Sequence, residues 1–137
     1  MPRQPELSRK RVHVAAGILF DAHGRVLIAD RSRASTMQEY WEFPGGKRAG
    51  GESAAAALRR ELVEELGVEI RSFEHFRNLQ HDYSDLRVAI DFYFVTSWAG
   101  TPSGREGQRL QWLKPSELSS GILLPADAPL VPLLQNL

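Results

Sequence analysis

Three glutamates in one short segment could bind a metal ion. Glu61, Glu64 and Glu65 lie at positions i, i+3 and i+4, which share one face of an α-helix. Like charges at this spacing repel, at a cost of roughly 0.2–0.5 kcal/mol per pair on an exposed helix. Carboxylate oxygens suit Mg²⁺ and Mn²⁺, and these ions in turn suit phosphate substrates. The spacing therefore predicts metal-assisted chemistry at phosphate; the alternative is an acidic helix face that is only solvated.

The segment around these glutamates has further residues at fixed spacing. Residues 46–68 match the pattern Gly-x5-Glu-x7-Arg-Glu-U-x-Glu-Glu-x-Gly-U, where U is a bulky apolar residue. A solvated acidic face would not explain the glycine-rich start, Glu52 and Arg60 together. This pattern resembles the Nudix box of the Nudix hydrolases. Its fixed positions are all filled, by Gly46, Glu52, Arg60, Glu61, Leu62, Glu64, Glu65, Gly67 and Val68.

Four segments outside the box resemble the MutT proteins, the Nudix subgroup that hydrolyses oxidised guanine nucleoside triphosphates. They are residues 14–19, 41–47, 104–108 and 124–127, so the resemblance covers nearly the whole chain after residue 11. It implies an α+β fold, the α/β/α sandwich with a mixed β-sheet. It also implies attack of water on the β-phosphorus, which releases nucleoside monophosphate and pyrophosphate.

The resemblance assigns metal ligands to individual residues. Glu64 and Glu65 are the first ligands expected for Mg²⁺, with Mn²⁺ as the alternative ion. Glu61 joins them or acts as the general base. Glu106, in a loop with three glycines, matches a further metal-binding carboxylate of MutT-like enzymes, and the carbonyl of Gly45 matches a backbone ligand. Four carboxylates and one carbonyl therefore form the predicted metal site.

Other residues of the box are expected to support the metal ligands. Arg60 and Glu52 are predicted to form an ion pair that holds the loop against the helix, so Arg60 is placed with the catalytic group. Gly46 and Gly67 are structural positions of the motif.

Three residues are predicted to bind the substrate: Arg31, Phe43 and Asp127. MutT proteins have an asparagine that matches Asp127, and its amide donates to O6 and accepts from N7–H of 8-oxoguanine. An ionised carboxylate only accepts hydrogen bonds, unless a dry pocket keeps it protonated. The alternatives are a surface arginine, a core phenylalanine and, for Asp127, the N-cap of a C-terminal helix.

The composition indicates one globular domain. The chain has 137 residues, a length that fits one domain. We expect a polar tail at residues 1–11 and a single domain over residues 12–137. The 17 basic and 17 acidic residues cancel, which argues against a nucleic-acid partner and leaves a small nucleotide as the substrate. No cysteine is present, and neither a signal peptide nor a membrane span is recognisable. We therefore expect a cytoplasmic protein without a membrane partner, as a monomer or weak dimer.

The predicted elements place the motif on a helix between strands. The helix begins after the N-cap Ser53 and ends at Leu66, with Gly67 after it and a buried stripe of Ala55, Leu58, Leu62 and Leu66. The first two strands are predicted to form a hairpin around a turn at 21–24. A strand at 41–43 is expected to stop at Pro44. Strands are predicted at 12–20, 25–29, 41–43, 68–76, 87–98 and 110–113, and short helices at 115–118 and 127–134.

Two other functions are compatible with the sequence. The first is a broader Nudix hydrolase that acts on ordinary dNTPs, dinucleoside polyphosphates or nucleotide sugars. Tyr83, sixteen residues after Gly67, is a weak mark of the dinucleoside polyphosphate enzymes. The second is a non-catalytic base-recognition module, which would have no need of the complete glutamate set.

Overall fold

The computed structural model describes residues 10–137, and these residues form seven strands, two α-helices and one 3₁₀ helix. The strands are β1 (Lys10–Leu19), β2 (Val26–Asp30), β3 (Trp41–Glu42), β4 (Gly45–Lys47), β5 (Glu69–Asp82), β6 (Leu86–Ala99) and β7 (Leu110–Leu113). The helices are α1 (Ala54–Leu66), the 3₁₀ helix (Pro115–Glu117) and α2 (Leu130–Gln135).

The strands are divided between two sheets. The first sheet has the order β4-β1-β6-β5, with β1 and β6 parallel and the other pairs antiparallel. The second has the order β3-β2-β7 and is antiparallel. The predicted mixed α+β fold is confirmed, and the mixed sheet is accompanied by a smaller antiparallel one.

Strand β1 separates two hydrophobic cores, because successive side chains of a strand point to opposite faces. Ala15 and Leu19 pack in the core that contains the apolar face of α1. Ala16 and Ile18 pack in the other core, which includes residues of α2. The sheet therefore lies between helices, and α1 is held on one face of it.

Helix α1 begins and ends as predicted. The Ser53 side chain accepts a hydrogen bond from the N–H of Ala56 at 3.1 Å, and Gly67 ends the helix with φ of 72°, a left-handed conformation that glycine adopts without a Cβ clash. Ala55 of the predicted stripe is only half-buried, and Ala57 is buried instead. The buried face consists of Ala57, Leu58, Leu62 and Leu66.

The predicted hairpin of the first two strands is wrong. The turn at 21–24 is present, but β1 and β2 share only an isolated bridge between Phe20 and Val26 and then belong to different sheets. Strand β1 pairs with β6 and β4, and β2 pairs with β3 and β7. Both strands are apolar on both faces, so alternation along the chain could not reveal their partners.

Strand β3 ends at Glu42, before Pro44 as predicted, but a separate strand that was not predicted, β4, follows at Gly45 and pairs with β1. A Cβ atom at Gly45 would lie 2.1 Å from the carbonyl oxygen of Ala15, so this close approach requires glycine. Strand β1 starts at Lys10 and β5 extends to Asp82, both beyond their predicted bounds.

Residues 1–9 of the predicted tail lie outside the described residues, and residues 10 and 11 of it belong to β1. Helix α2 starts at Leu130, three residues after the predicted start. No helix within residues 10–137 has the length and apolar character to cross a bilayer.

Candidate active site

Glu61 packs against the backbone of Gly46 in β4. A Cβ atom at Gly46 would lie 2.4 Å from the Glu61 carboxyl carbon, so a larger residue there would displace the Glu61 carboxyl group from this position. The Glu61 side chain is 15% exposed. Burial raises its pKa, aided by the charges of Glu64 and Glu106 and opposed by a hydrogen bond from Arg60. The first glycine of the box is therefore a steric requirement of the glutamate face.

Glu65 has a strongly raised pKa. Burial raises it to about 9, and repulsion from Glu42, Glu61 and Glu106 acts in the same direction. The N–H of Gly45 donates to Oε1 of Glu65 at 3.3 Å, which opposes the shift only in part. Without a nearby cation, Glu65 therefore keeps its proton at neutral pH.

Glu42 in β3 is a carboxylate that was not predicted from the sequence. Its Oε1 accepts a hydrogen bond from the guanidinium of Arg31 at 2.9 Å, and burial raises its pKa against that ion pair. Together with Glu65 and Glu106 it lines a cavity of about 300 Å³, the carboxylate cavity. The available signal was an acidic residue between two aromatic residues in a short strand.

Arg60 connects the glutamate face to the loop before α1. Its Nε and one terminal nitrogen bind both carboxylate oxygens of Glu52 at 2.8 and 2.9 Å, so the predicted ion pair is present. The same arginine donates to the carbonyl of Lys47 at 2.9 Å and to Glu61 at 2.8 Å, and lies 3.4 Å from Glu64. These hydrogen bonds lower the pKa of Glu52 to about 2, so Glu52 stays ionised.

Glu106 lies in the loop before β7, which is docked on the end of α1. The Glu106 N–H donates to the side chain of Gln108 at 2.9 Å, and Gln108 donates to the carbonyl of Glu65 at 3.1 Å. Gly107 has φ of 84°, and a Cβ atom there would lie 2.4 Å from Nε of Arg33. These contacts bring the Glu106 side chain to the carboxylate cavity.

The structure brings the predicted glutamates near one another but does not arrange them as a finished metal site. Within residues 10–137, no three His, Cys, Asp or Glu side chains are grouped as a ready ligand shell. The oxygen atoms of these side chains nevertheless fit a hard divalent cation, because its positive charge would offset the repulsion between the buried carboxylates. The Glu64 side chain is 52% exposed and stands at the open end of this group.

A second cavity, the central pocket, adjoins the carboxylate cavity. It has a volume of about 410 Å³, and Arg31 and Glu42 line both cavities. Side chains from β1, the loop after β2, and the segments around Tyr83 and Leu124 enclose it. Its lining includes Val12, Arg31, Glu42, Gly45, Lys47, Tyr83, Ala126 and Asp127.

Arg31 stands between the two cavities. Its terminal nitrogens donate to Glu42 at 2.9 Å and to the carbonyl of Thr36 at 3.0 Å. Its Nε is buried and has no hydrogen-bond partner in the described part of the chain. A buried donor left unpaired costs roughly 1–3 kcal/mol, which a ligand acceptor would recover. Its predicted role in substrate binding remains a prediction.

Asp127 is buried, with 3% exposure, at the wall of the central pocket. Its Oδ2 accepts a hydrogen bond from the N–H of Phe43 at 3.0 Å. Burial raises the pKa of Asp127 to about 8, and Glu42 adds repulsion. The N-cap interpretation is wrong, because α2 begins at Leu130 and the N-cap position is Pro129, without a side-chain bond.

Phe43 does not line this pocket and is linked to it only through the hydrogen bond of its backbone N–H to Asp127. The ring is 2% exposed in the core, in edge-to-face contact with Phe92 at 6.4 Å. Its N–H holds Asp127, so the residue acts on the pocket through that carboxyl group. The hydroxyl of Tyr83 accepts a hydrogen bond from the N–H of Ala126 at 3.2 Å, which fixes the tyrosine at the pocket wall.

Comparison with known proteins agrees with this geometry. The family model described as the NUDIX domain matches residues 15–132. The 8-oxo-dGTP diphosphatase of Haemophilus influenzae is 36% identical over 130 residues, which cover 95% of this chain and 96% of the relative. The CTP pyrophosphohydrolase of Escherichia coli is 37% identical over 122 residues, or 89% of this chain and 90% of the relative.

Solved structures show the same arrangement. A MutT structure from work on the Aliivibrio salmonicida and Vibrio cholerae proteins has 35% identity and a TM-score of 0.77, over 92% of this chain and 97% of that chain. The solution structure of the E. coli ORF135 protein has 35% identity and a TM-score of 0.80, over 97% of this chain and 94% of that chain. The similarity therefore extends over nearly the whole chain and its fold.

Proposed function

The chain belongs to the NUDIX domain family, and we propose that it hydrolyses nucleoside triphosphates with an oxidised purine, such as 8-oxo-dGTP, to nucleoside monophosphate and pyrophosphate. The observation that carries this proposal is that the central pocket and the carboxylate cavity share Arg31 and Glu42. A nucleotide with its base beside Asp127 can extend its phosphates directly to the carboxylates. The relatives named 8-oxo-dGTP diphosphatase support this substrate class.

A divalent cation, Mg²⁺ or Mn²⁺, is expected to bind Glu61, Glu64, Glu65 and Glu106, with the carbonyl of Gly45 as a backbone ligand. When bound, the cation supplies neutralisation of phosphate charge and polarisation of the phosphorus towards attack. The raised pKa of Glu65 fits this role, because a cation would replace the proton that the buried carboxyl group otherwise holds.

The chain's own residues orient the reaction. Arg60 fixes Glu61 on one side and Glu52 on the other, so the loop from β4 keeps its position on the helix. Glu61 is our candidate for the general base that takes the proton of the attacking water. The water oxygen bonds to the β-phosphorus, and the oxygen between the α- and β-phosphorus leaves with the monophosphate.

Asp127 is proposed to recognise the base. With a pKa of about 8, Asp127 is protonated in most of the molecules at neutral pH. A protonated carboxyl group has a donor and an acceptor, as an amide has. It can donate to O6 of 8-oxoguanine and accept from N7–H, whereas unmodified guanine offers only a lone pair at N7. The aspartate can thus replace the asparagine of MutT proteins.

A second candidate substrate is a cytosine nucleotide. Its amino group is a donor, and Asp127 presents acceptor oxygens in both of its protonation states. The relative named CTP pyrophosphohydrolase, at 37% identity, favours this possibility. The same carboxylate cavity would carry out the same hydrolysis, so the two candidates differ only in the base that the central pocket accepts.

Product analysis tests the proposal. The protein is incubated with Mg²⁺ and 8-oxo-dGTP, dGTP, CTP, dCTP, a dinucleoside polyphosphate or a nucleotide sugar. We expect nucleoside monophosphate and pyrophosphate in a one-to-one ratio from triphosphates, formed fastest from 8-oxo-dGTP. Release of orthophosphate would contradict attack at the β-phosphorus. No turnover of any nucleotide would favour the base-recognition module.

A further inference from the structure

A positively charged groove lies between the start of β1 and the loop that joins β4 to α1. Its volume is about 440 Å³, and it is separate from the carboxylate cavity, with which it shares no lining residue. Its polar lining includes Lys10, Arg11, His13, Lys47, Arg48 and Glu52. Four of these six, Lys10, Arg11, Lys47 and Arg48, carry a full positive charge at neutral pH, and the proposed hydrolysis assigns no role to their charged groups.

Among the described residues, the charge of the groove is not neutralised locally. Glu52 is the only acidic residue of residues 10–137 in its lining, and both carboxylate oxygens of Glu52 are held by Arg60 at 2.8 and 2.9 Å. Within residues 10–137, Lys10, Arg11 and Lys47 have no ion pair and no side-chain hydrogen bond. The chain as a whole has equal numbers of basic and acidic residues, so this cluster is a local feature.

Arg48 is a fixed cation in the groove wall. Its Nε and a terminal nitrogen donate to the backbone carbonyl of Glu52 at 3.0 and 2.8 Å, and that carbonyl carries no net charge. The charge of Arg48 helps to lower the pKa of Asp91, but the Asp91 carboxylate is bound by His75 at 2.8 Å and by Asn78 at 3.0 Å and not by Arg48. The groove thus presents oriented positive charge to solvent, as an anion site requires.

The groove adjoins the central pocket. Val12 and Lys47 line both the groove and the central pocket, whereas Arg31 and Glu42 line the central pocket and the carboxylate cavity. A nucleotide in the central pocket therefore has two neighbouring anion-binding regions. Its 5′ phosphates are assigned to the carboxylate cavity, and we assign an anion in the groove to another atom of the nucleotide.

We propose that the groove binds a second phosphate group of the nucleotide, carried on the 3′ oxygen of its sugar. This inference rests on the proposed function, because it assumes that the base and sugar occupy the central pocket. Lys10, Arg11 and Lys47 supply ammonium and guanidinium groups that are unpaired within residues 10–137, and Arg48 supplies one that is held by the Glu52 carbonyl. The 3′ phosphate is either a terminal monoester or the diester of a short oligonucleotide; both present the same anionic oxygens.

Equilibrium binding to nucleotides that are not hydrolysed tests the groove. The ligands are 8-oxo-dGMP, its 3′-phosphorylated counterpart, and a dinucleotide in which that 3′ phosphate continues to a second nucleoside. Calorimetric titration at low salt should show about tenfold tighter binding of the 3′-phosphorylated ligand, because one extra ion pair forms near the surface. The gain should shrink as salt is added. A similar gain for the dinucleotide identifies a diester as an acceptable occupant, and no gain restricts the occupant to the monoester.

Matched arginine variants separate the groove from general charge. Arg11→Ala should remove most of the gain from the 3′ phosphate and leave the affinity for 8-oxo-dGMP unchanged. Arg71→Ala is the control, since Arg71 is also an exposed strand arginine, 61% accessible, and its nearest ion-pair distance is 3.6 Å, to Glu69. Thermal melting verifies that both variants fold.

Two results would overturn the inference. Equal affinity of the wild-type protein for 8-oxo-dGMP and its 3′-phosphorylated form would refute the groove site while leaving the proposed function intact. An equal loss of the gain in Arg11→Ala and Arg71→Ala would show that overall charge is responsible. Failure to bind either ligand, together with absence of nucleotide turnover, would refute the proposed function and the groove site with it.

Discussion

Asp127 joins the strand before the box to the segment before α2, through a single hydrogen bond between its carboxyl group and the N–H of Phe43. Replacing Asp127 by alanine leaves the N–H of Phe43 without its acceptor and removes the proposed base contact. We expect Asp127→Ala to lower the preference for 8-oxo-dGTP over dGTP by roughly 1–3 kcal/mol. Asp127→Asn should keep or improve the affinity for 8-oxo-dGTP, because its amide has both a donor and an acceptor.

Steady-state kinetics of the two variants with both nucleotides distinguish base recognition from support of the fold. If Asp127→Ala melts at a lower temperature but keeps the wild-type ratio of 8-oxo-dGTP to dGTP, then Asp127 only supports Phe43. Base selection would in that case belong to another part of the central pocket.

The raised pKa of Asp127 also predicts a pH-dependent stability. The pKa is 3.8 in the unfolded chain and about 8 in the folded one, so folding takes up a proton between these values. The stabilisation is present below pH 3.8 and is lost as the pH rises through 8. In Asp127→Asn, the decline of unfolding free energy with pH should be shallower by up to about 1.4 kcal/mol per pH unit.

Denaturant unfolding at several pH values measures this slope. Asparagine keeps an acceptor for the N–H of Phe43, so the variant should still fold. Some decline should remain, because Glu65 has a raised pKa too. Identical slopes for wild type and Asp127→Asn would show that Asp127 is ionised in the folded protein.

The two glutamates at the centre of the box should matter for rate and not for folding. Glu64→Gln and Glu65→Gln keep the side-chain shape but remove a charge needed by a metal ligand or base. We expect rates to fall roughly 10²–10⁴-fold. The melting temperature of Glu65→Gln should be at least that of wild type, because the variant no longer contains a buried acid. The control is Glu74→Gln, an exposed glutamate of β5. Near-wild-type turnover in both box variants would refute the metal assignment.

Site residues with a fixed spacing in the chain could be predicted from the sequence, whereas site residues defined by tertiary contacts could not. The ion pair of Arg60 and Glu52 follows from a fixed spacing, and it is present. Glu42 was missed because its partners, Arg31 and Glu65, come from distant segments. The N-cap interpretation of Asp127 was wrong for the same reason: its partner lies 84 residues away.

Among the elements, the loop between β4 and α1 is held to the helix through one side chain. Arg60→Ala would remove the two bonds to Glu52, the bond to the Lys47 carbonyl and the bond to Glu61. We expect metal affinity to fall about 10–100-fold while residual chemistry persists at saturating metal. Metal titration of the hydrolysis rate measures the effect.

Arg60→Lys is the matched variant, because lysine keeps the charge but cannot form the two-pronged contact with a carboxylate. It should lie between wild type and Arg60→Ala. A metal titration unchanged in both variants would show that Arg60 does not position the metal ligands.

Elements with local signals were predicted well. Helix α1 has its cap, its left-handed glycine and its apolar face within one segment, so its bounds agree with the prediction. Strand β4 has no local signal, because Gly45 and Gly46 usually indicate a turn. It can pair with β1 because Gly45 lies against the β1 backbone and Gly46 lies against the Glu61 carboxyl group, and neither glycine has a Cβ atom that would clash there.

For the whole molecule, net charge concealed a separation of charge. The chain has 17 basic and 17 acidic residues, yet the central pocket lies between a cavity with three glutamates and a groove with four basic residues. A count of charges could exclude a strong overall field, but not this local one. The parallel pairing of β1 with β6 was equally hidden, because the two strands are more than sixty residues apart.

The ratio of kcat/KM for 8-oxo-dGTP to that for dGTP, measured with saturating Mg²⁺ and with dCTP in parallel, tests the central claim most directly. We predict a preference for 8-oxo-dGTP over dGTP of about 5- to 150-fold, the equivalent of roughly 1–3 kcal/mol for one buried hydrogen-bonding contact. Equal values for 8-oxo-dGTP and dGTP, or a higher value for dCTP than for 8-oxo-dGTP, would contradict the proposed selection of oxidised guanine by Asp127.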